Sequence, residues 1–274
     1  MNVREFFFAS LLFVVITTLS LLHVKRLAAQ NSESSAAHGT TPEVHVYLPL
    51  VASQPIPTPV PVYDSIPIAG SAINRPAAIH GDLNLSLRSY AVTTATLALI
   101  DVNGPADTDA PQIAGTFSPA RLPNFTAVYQ VHDWDWSCSE NGCRGEVITE
   151  PAVTLLEMET FAGEAIAIPS RNPQIYAGGY KAMVLYAEAT RITLVYTRDD
   201  TPAYGYVVHF EGIAVDPILL ALYEKLNQEG RDHLPALRNG ERIGNAIDSR
   251  VKIAVRDTGS FLDPRTRKDW WVGY

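Results

Sequence analysis

Arg250-Val251-Lys252-Ile253-Ala254-Val255-Arg256-Asp257-Thr258-Gly259-Ser260-Phe261-Leu262-Asp263-Pro264 is the stretch from which the fold is read. Val251 to Val255 is a candidate strand. Successive strand residues alternate between faces, so Arg250 and Lys252 share one of them. From about Ser65 onward the rest of the chain is likewise a series of short β-like runs separated by turn residues. Phe125 to Val131, Val153 to Met158, Glu164 to Ile168, Ala182 to Ala187, Arg191 to Thr197 and Tyr204 to Glu211 continue the series. Leu83, Leu85 and Leu87 alternate with polar neighbours, and Thr94 to Val102 is a further candidate strand ending at Asn103-Gly104-Pro105. A mainly β fold follows. One segment departs from the pattern. Asp216 suits an N-cap, Pro217 the first helical position and Gly230 C′, while Ile218, Leu219, Leu222 and Leu226 form an apolar stripe. The expectation is one short helix over about 216–229, lying as a lid on the sheet with its stripe toward the core. No internal repeat of solenoid length is visible.

At 274 residues with 47% hydrophobic content, the chain can build one large domain or two small ones. Its net charge is −8 and no Lys/Arg run exceeds two residues, which argues against a phosphate-tracking surface and removes nucleic acid from the expected partners. Phe6 to Leu22 is an unbroken apolar-plus-Ser/Thr run preceded by Arg4, the pattern of an export signal. It also reaches the lower edge of a membrane span, for which roughly 17–25 residues suffice. Segment 1–29 therefore reads as a signal peptide or a membrane anchor. Ala29 suits the −1 position of a cleavage site and Leu27 fits −3 imperfectly, while Lys25 and Arg26 beyond the run oppose an N-in orientation. Both readings place the remainder outside the cytoplasm, secreted or extracytoplasmic and anchored, with membrane contact only through 6–22. Residues 30–64 form a disordered Ser/Pro-rich linker, in which Pro55, Pro57, Pro59 and Pro61 favour an extended polyproline-II spacer. The β-rich domain is then 65–274, with N-terminal strands over 65–130.

The C-terminal run quoted above, together with Gly240-Glu241-Arg242-Ile243-Gly244, resembles the closing strands of lysostaphin-like zinc peptidases, a duplicated hybrid motif barrel. Gly163-Glu164-Ala165-Ile166-Ala167-Ile168-Pro169 resembles the step by which that family enters its barrel. Met183 to Tyr186 and Thr193 to Tyr196 resemble its paired strands. The resemblance covers roughly 164–263 and implies an antiparallel, barrel-like domain over 131–274. Its ligands are missing. The two histidines of the family's H-x-H strand fall on Arg250 and Lys252, cations that offer zinc no lone pair. The strand that carries a catalytic histidine has its nearest text in Leu222-Tyr223-Glu224-Lys225-Leu226, again without one. The first His/Asp ligands have one counterpart in His132-Asp133-Trp134-Asp135, and a lone pair does not make a catalytic zinc site, which takes three protein ligands. The resemblance thus implies a degenerate, non-catalytic relative with no cofactor, whose Arg250/Lys252 face, if open to solvent, would favour an anionic partner.

Other residues carry possible chemistry of their own. Cys138 and Cys143, the only cysteines, read in an exported chain as a disulfide pinning a hairpin tip, with metal binding alongside His132 and Asp135 as the alternative. Asp133 and Asp135 alternate with Trp134 and Trp136. The plain reading buries the indoles and solvates the acids, and the sharper one makes the indoles a platform for sugar rings. Paired acids can hydrolyse glycosidic bonds, but from opposite sides of a cleft about 5–9.5 Å apart. His209 and Glu211, two apart, share a face and could form a His–carboxylate pair. Arg265, Arg267, Trp270 and Trp271 fasten the tail to the domain by Arg–Trp stacking, or present the indoles to a ligand.

The expected function is a non-catalytic binding or structural module at the cell surface, with Trp134, Trp136, Arg250 and Lys252 as binding residues. Cell-wall glycan, peptidoglycan or another surface protein is the expected partner. The alternatives are a cell-wall hydrolase with a site rearranged around His132, Asp135, His209 and Glu211, and a carbohydrate-binding domain.

Overall fold

The computed structural model describes residues 61–274. The expectations for the hydrophobic segment and for the linker up to residue 60 lie outside the described residues. Fourteen strands and three α-helices are present among the described residues. In chain order the strands are β1 (Asp64–Pro67), β2 (Tyr90–Val92), β3 (Phe125–Asp135), β4 (Cys143–Val147), β5 (Leu155–Glu159), β6 (Ala165–Ala167) and β7 (Tyr180–Glu188). They continue with β8 (Arg191–Val195), β9 (Tyr206–Glu211), β10 (Ile213–Val215), β11 (His233–Arg238), β12 (Arg242–Ala246), β13 (Arg250–Asp257) and β14 (Ser260–Leu262). The helices are α1 (Leu85–Arg88), α2 (Pro217–Gln228) and α3 (Arg267–Trp270).

Eleven strands form one sheet in the order β1-β11-β7-β8-β9-β13-β5-β3-β2, with β14 on β13 and β4 on β3, and β10-β12-β6 form a second. Every named strand pair is antiparallel. The mainly β, antiparallel expectation therefore holds, but the barrel does not: the large sheet ends at β1 on one side and β2 on the other, with no ladder joining them. β3 runs without interruption through residues 130 and 131, so the N-terminal strands and the supposed barrel share one sheet.

β13 lies between β9 and β5. Its Val251, Ile253 and Val255 are fully buried and join residues of both sheets, among them Phe210, Leu194, Leu156, Ile166 and Ile243, in one core. The opposite face packs a smaller cluster of Ala254, Leu155, Val131, Leu85 and Phe261.

Two expected strands are not strands. Leu83 belongs to the turn leading into α1 and Leu85 and Leu87 to α1 itself, where Asn84 accepts a hydrogen bond from the Ser86 amide at 3.2 Å and the chain leaves the helix at Ser89 with φ 60°. Three alternating leucines are too few to separate the two periods, and the cap decides for a helical turn. Thr94–Val102 forms only an isolated bridge, Ile100 to Thr266. The ladder on β3 stops at Thr93, whose amide donates to Val128 O, so the segment's β-propensity finds no partner.

α2 matches its expected caps. The Asp216 carboxylate accepts from the Ile218 amide at 3.0 Å and Pro217 opens the helix. Its buried residues are Leu219 and Tyr223, while Ile218 points to solvent. The helix rests on β11 and β7. The C-terminal indoles are not a ligand platform: Trp270 and Trp271 are buried and donate to Asp263 O and Pro264 O. Arg265 turns instead to Asp263, at 2.7 Å. Among the described residues no helix is long and apolar enough to cross a membrane.

Just after α2, Arg231 is buried and donates to Asp200, Tyr223, Asn227 and Leu185 O. It holds φ 66°, and Asp200, whose side chain is fully enclosed, is its only counter-charge in that network. Breaking a buried pair leaves an uncompensated charge, at about 3–5 kcal/mol. Asp200→Ala is therefore expected to lower unfolding free energy by about that amount in a denaturant titration of the full chain, and a loss below ~1 kcal/mol would contradict the assignment.

Candidate functional site

The face of β13 that carries Arg250 and Lys252 is one face, as alternation requires, but its charge is not free. Lys252 stands in register with Glu157 of β5 on one side and Glu211 of β9 on the other. Its ammonium lies 3.1 Å from Glu157, and the more exposed Arg250 lies 3.7 Å from the same carboxylate. Glu157 also accepts from Thr126 Oγ1 at 2.8 Å and Tyr129 Oη at 3.0 Å. Burial pushes its carboxyl up, and the bonds from Thr126, Lys252 and Tyr129 with the Lys252 charge outweigh that and leave it below its ordinary value. The ring centroids of Tyr90 and Tyr129 sit 5.9 and 5.7 Å from Lys252 Nζ. Lys252 is thus a part-buried cation already paired with Glu157, while the Arg250 side chain on the same face stays 62% exposed.

His209 and Glu211 share a face without pairing. Thr193 Oγ1 donates to Leu83 O at 2.6 Å and meets His209 Nδ1 at 2.9 Å, so the imidazole donates from Nδ1 and its Nε2 keeps a bare lone pair. That Nε2 is buried without a partner. Burial, then the charges of Arg256 and Arg88, push the imidazole well below its ordinary value and keep it neutral. Glu211 bonds instead to Arg191 at 3.2 Å and Tyr90 Oη at 3.3 Å. His132 Nδ1 lies 2.9 Å from Gly145 O on β4. Asp135 accepts from Ser137 at the exposed hairpin tip. Each member of the rearranged metal site thus has a separate local partner. The cluster of Asp135 with Cys138 and Cys143 offers no thiolates, because the two sulfurs form a disulfide.

The indoles are where the expectations meet a cavity. Trp134 is half-buried and Trp136 is 37% exposed, so the reading that buries the pair is overturned, while Asp133 and Asp135 are solvated as expected. Trp134 Nε1 donates to Asn141 O at 3.2 Å. A methyl group added at Gly81 would lie 2.3 Å from the Trp134 ring, and one at Gly142 2.2 Å from its Nε1. Two backbone segments from opposite sides of β3 in sequence therefore clamp the indole where only glycine allows the approach. Trp136 stands edge-on to Trp134, with centroids 6.2 Å apart, and His80 meets Trp136 edge-on at 4.9 Å. The Arg75 guanidinium lies 4.9 Å from the Trp136 ring centroid and donates to Glu140 O. The 138–143 disulfide closes the turn that supplies Asn141, Gly142 and Glu140 to these contacts.

Together these groups line an open cavity of about 600 Å³, whose polar end is Asp82, Arg88 and Arg256 with Asp133 at the rim. Arg88 and Arg256, both buried, share Asp82 Oδ1, the latter at 2.9 Å. Arg88 further donates to Gly81 O at 2.8 Å and His132 O at 3.1 Å, and Arg256 to Gly259 O and Asp82 O. Both guanidiniums lie over Phe261, at 5.4 and 4.8 Å. Burial raises the Asp82 carboxyl, yet the charges of Arg256 and Arg88 overcome it and hold the group below its ordinary value. The arrangement supplies aromatic surface, fixed donors and one ionised acceptor, the composition of a small-ligand site. Asp82 and Arg256 are 174 positions apart, so no local spacing signals the polar end. Of its members Arg256 and the rim residue Asp133 stood in motifs visible in the sequence, and Arg75, His80, Asp82 and Arg88 carried no signal.

Two outcomes test this geometry. Gly81→Ala is expected to displace Trp134, changing the near-ultraviolet circular dichroism and costing about 1–3 kcal/mol in denaturant unfolding. An unchanged spectrum and stability would show that the indole is not clamped. For Glu157 the folded value lies below the ordinary 4.5, so its contribution is present above that pH and is lost as pH falls through the folded value. Glu157→Gln should therefore destabilise the protein at neutral pH, with the gap to wild type closing on acidification below 4.5. A gap independent of pH in urea titrations would refute it. No protein-family model, no curated protein and no solved structure matches this chain.

Proposed function

We propose that this chain is a non-catalytic binding module displayed outside the cytoplasm, and that it takes a sugar ring in the Trp134–Trp136 cavity. The observation that carries the reading is the glycine clamp. Gly81 and Gly142 give up side chains so that the backbone can hold Trp134 at the wall of a cavity, and an aromatic group ordered before the ligand arrives lowers the cost of binding. Trp136 with His80 and Arg75, and Asp82 with its two arginines, ring the same space. Apolar ring surface beside bidentate polar groups suits a pyranose, which has one face of C–H groups and a rim of hydroxyls.

Binding is favoured over hydrolysis by the state of Asp82. Glycoside hydrolysis takes two carboxyls free to act as acid and as nucleophile or base, and Asp82 is engaged by two buried arginines. The export pattern at 6–22 and the disulfide between the two cysteines support an oxidising compartment.

Calorimetric titration of the full chain against a panel of pectic, cell-wall and storage oligosaccharides tests the proposal. At least one is expected to bind, and Trp136→Ala is expected to weaken it about 10-fold or more, as removal of an aromatic anchor does. The absence of binding across the panel, or binding that survives Trp136→Ala unchanged, would overturn it.

A further inference from the structure

The polar end of the cavity carries more positive charge than it neutralises. Arg75, Arg88 and Arg256 line it together with only two carboxylates, Asp82 and Asp133. Asp82 is shared by both buried arginines. Asp133 lies 3.6 Å from Arg88 with its side chain 73% exposed, so water screens most of its field. Arg75 has no carboxylate partner among the described residues; its bonds go to Glu140 O and Asn74 Oδ1. Two guanidiniums out of water with one acid between them are under-compensated, a state that costs free energy until a further anion enters.

The neighbouring groups register the same field. Burial first, then the Arg75 and Arg256 charges, pull His80 below its ordinary value although Asp82 opposes them. Burial and the nearby Arg88 charge likewise pull Arg256 itself down despite its bond to Asp82. Donors remain as well. A guanidinium has five N–H groups. Arg88 uses one for each of Gly81 O, His132 O and Asp82, and Arg75 uses two. Local charge of this kind concentrates an anion against the overall −8 of the chain.

Resting on the sugar-binding reading above, we propose that the ligand is an acidic sugar, with the ring against Trp134 and Trp136 and its carboxylate or sulfate held by Arg75, Arg88 and Arg256. Guanidinium donors bind planar oxyanions with paired, charge-assisted hydrogen bonds. The three arginines come from the segment before α1, from α1 and from β13, so the anion would bridge three separate elements.

Calorimetry on the full chain with tri-galacturonic acid, its methyl ester, galactose 6-sulfate and galactose tests the assignment. The uronate or the sulfate is expected to bind about 10-fold or more tightly than its neutral counterpart, the gain of one charge-assisted contact, and to weaken as salt is raised. Which of the two anions gains identifies the group. Arg75→Gln, which removes a guanidinium charge from the cavity wall, is expected to cut affinity for the acidic ligand about 10-fold and to weaken the neutral one less, so that the preference for the acid shrinks. Equal binding of acidic and neutral sugars overturns this inference and leaves the sugar reading standing. Binding of an acid that Trp136→Ala does not weaken, or tighter and Trp136-dependent binding of adenosine monophosphate, overturns both.

Discussion

The cations that β13 turns away from the core are met by carboxylates from neighbouring elements, and the buried Arg256 and part-buried Lys252 need them, because a charge drawn out of water requires a partner. Val251, Ile253 and Val255 bind the sheets together on one face. The residues between them are Arg250, Lys252, Ala254 and Arg256, three cations on the other face. The alternation that makes the strand a good core element also creates this charge problem. The protein solves it twice with acids from distant elements, Glu157 on β5 for Arg250 and Lys252, and Asp82 before α1 for Arg256.

The two solutions differ, and the difference produces the site. Glu157 is reached by two cations but accepts from Thr126 and Tyr129 as well, and tyrosine rings enclose Lys252. That end of the face is complete. At the other end Asp82 serves Arg256 and Arg88 together, beside a cavity. His209 lies between the two ends, neutral and with Nε2 unpartnered, because Thr193 and the stacked Phe261 enclose it and the arginine charges oppose its protonation.

Much of the strand content was legible because strand periodicity is a local property. β3, β5, β7, β8, β9 and β13 fall on or close to apolar runs visible in the text, and α2 carries its signals within one stretch from Asp216 to Gly230. β11 was not legible: Pro235 sits inside it, and proline normally argues against a strand. Thr94–Val102 shows the reverse error, good strand chemistry with no neighbour to pair. The barrel expectation erred for a topological reason, since closure depends on whether the two end strands meet, and no residue pattern within a strand records that.

For the site, the sequence by itself determined that Arg250 and Lys252 share a face, that the two cysteines stand close enough to bridge, and that Trp134 and Trp136 flank the tip they close. Alternation and short separation suffice for those. Only the tertiary structure decided that Lys252 is neutralised by Glu157, that Gly81 and Gly142 clamp Trp134, and that Arg88, Asp82 and Arg256 converge at one end of a cavity. The physical reason is distance along the chain. These contacts join segments up to 174 residues apart, and charge compensation and close backbone approach become defined only when the sheet brings such segments to within a few ångströms of each other.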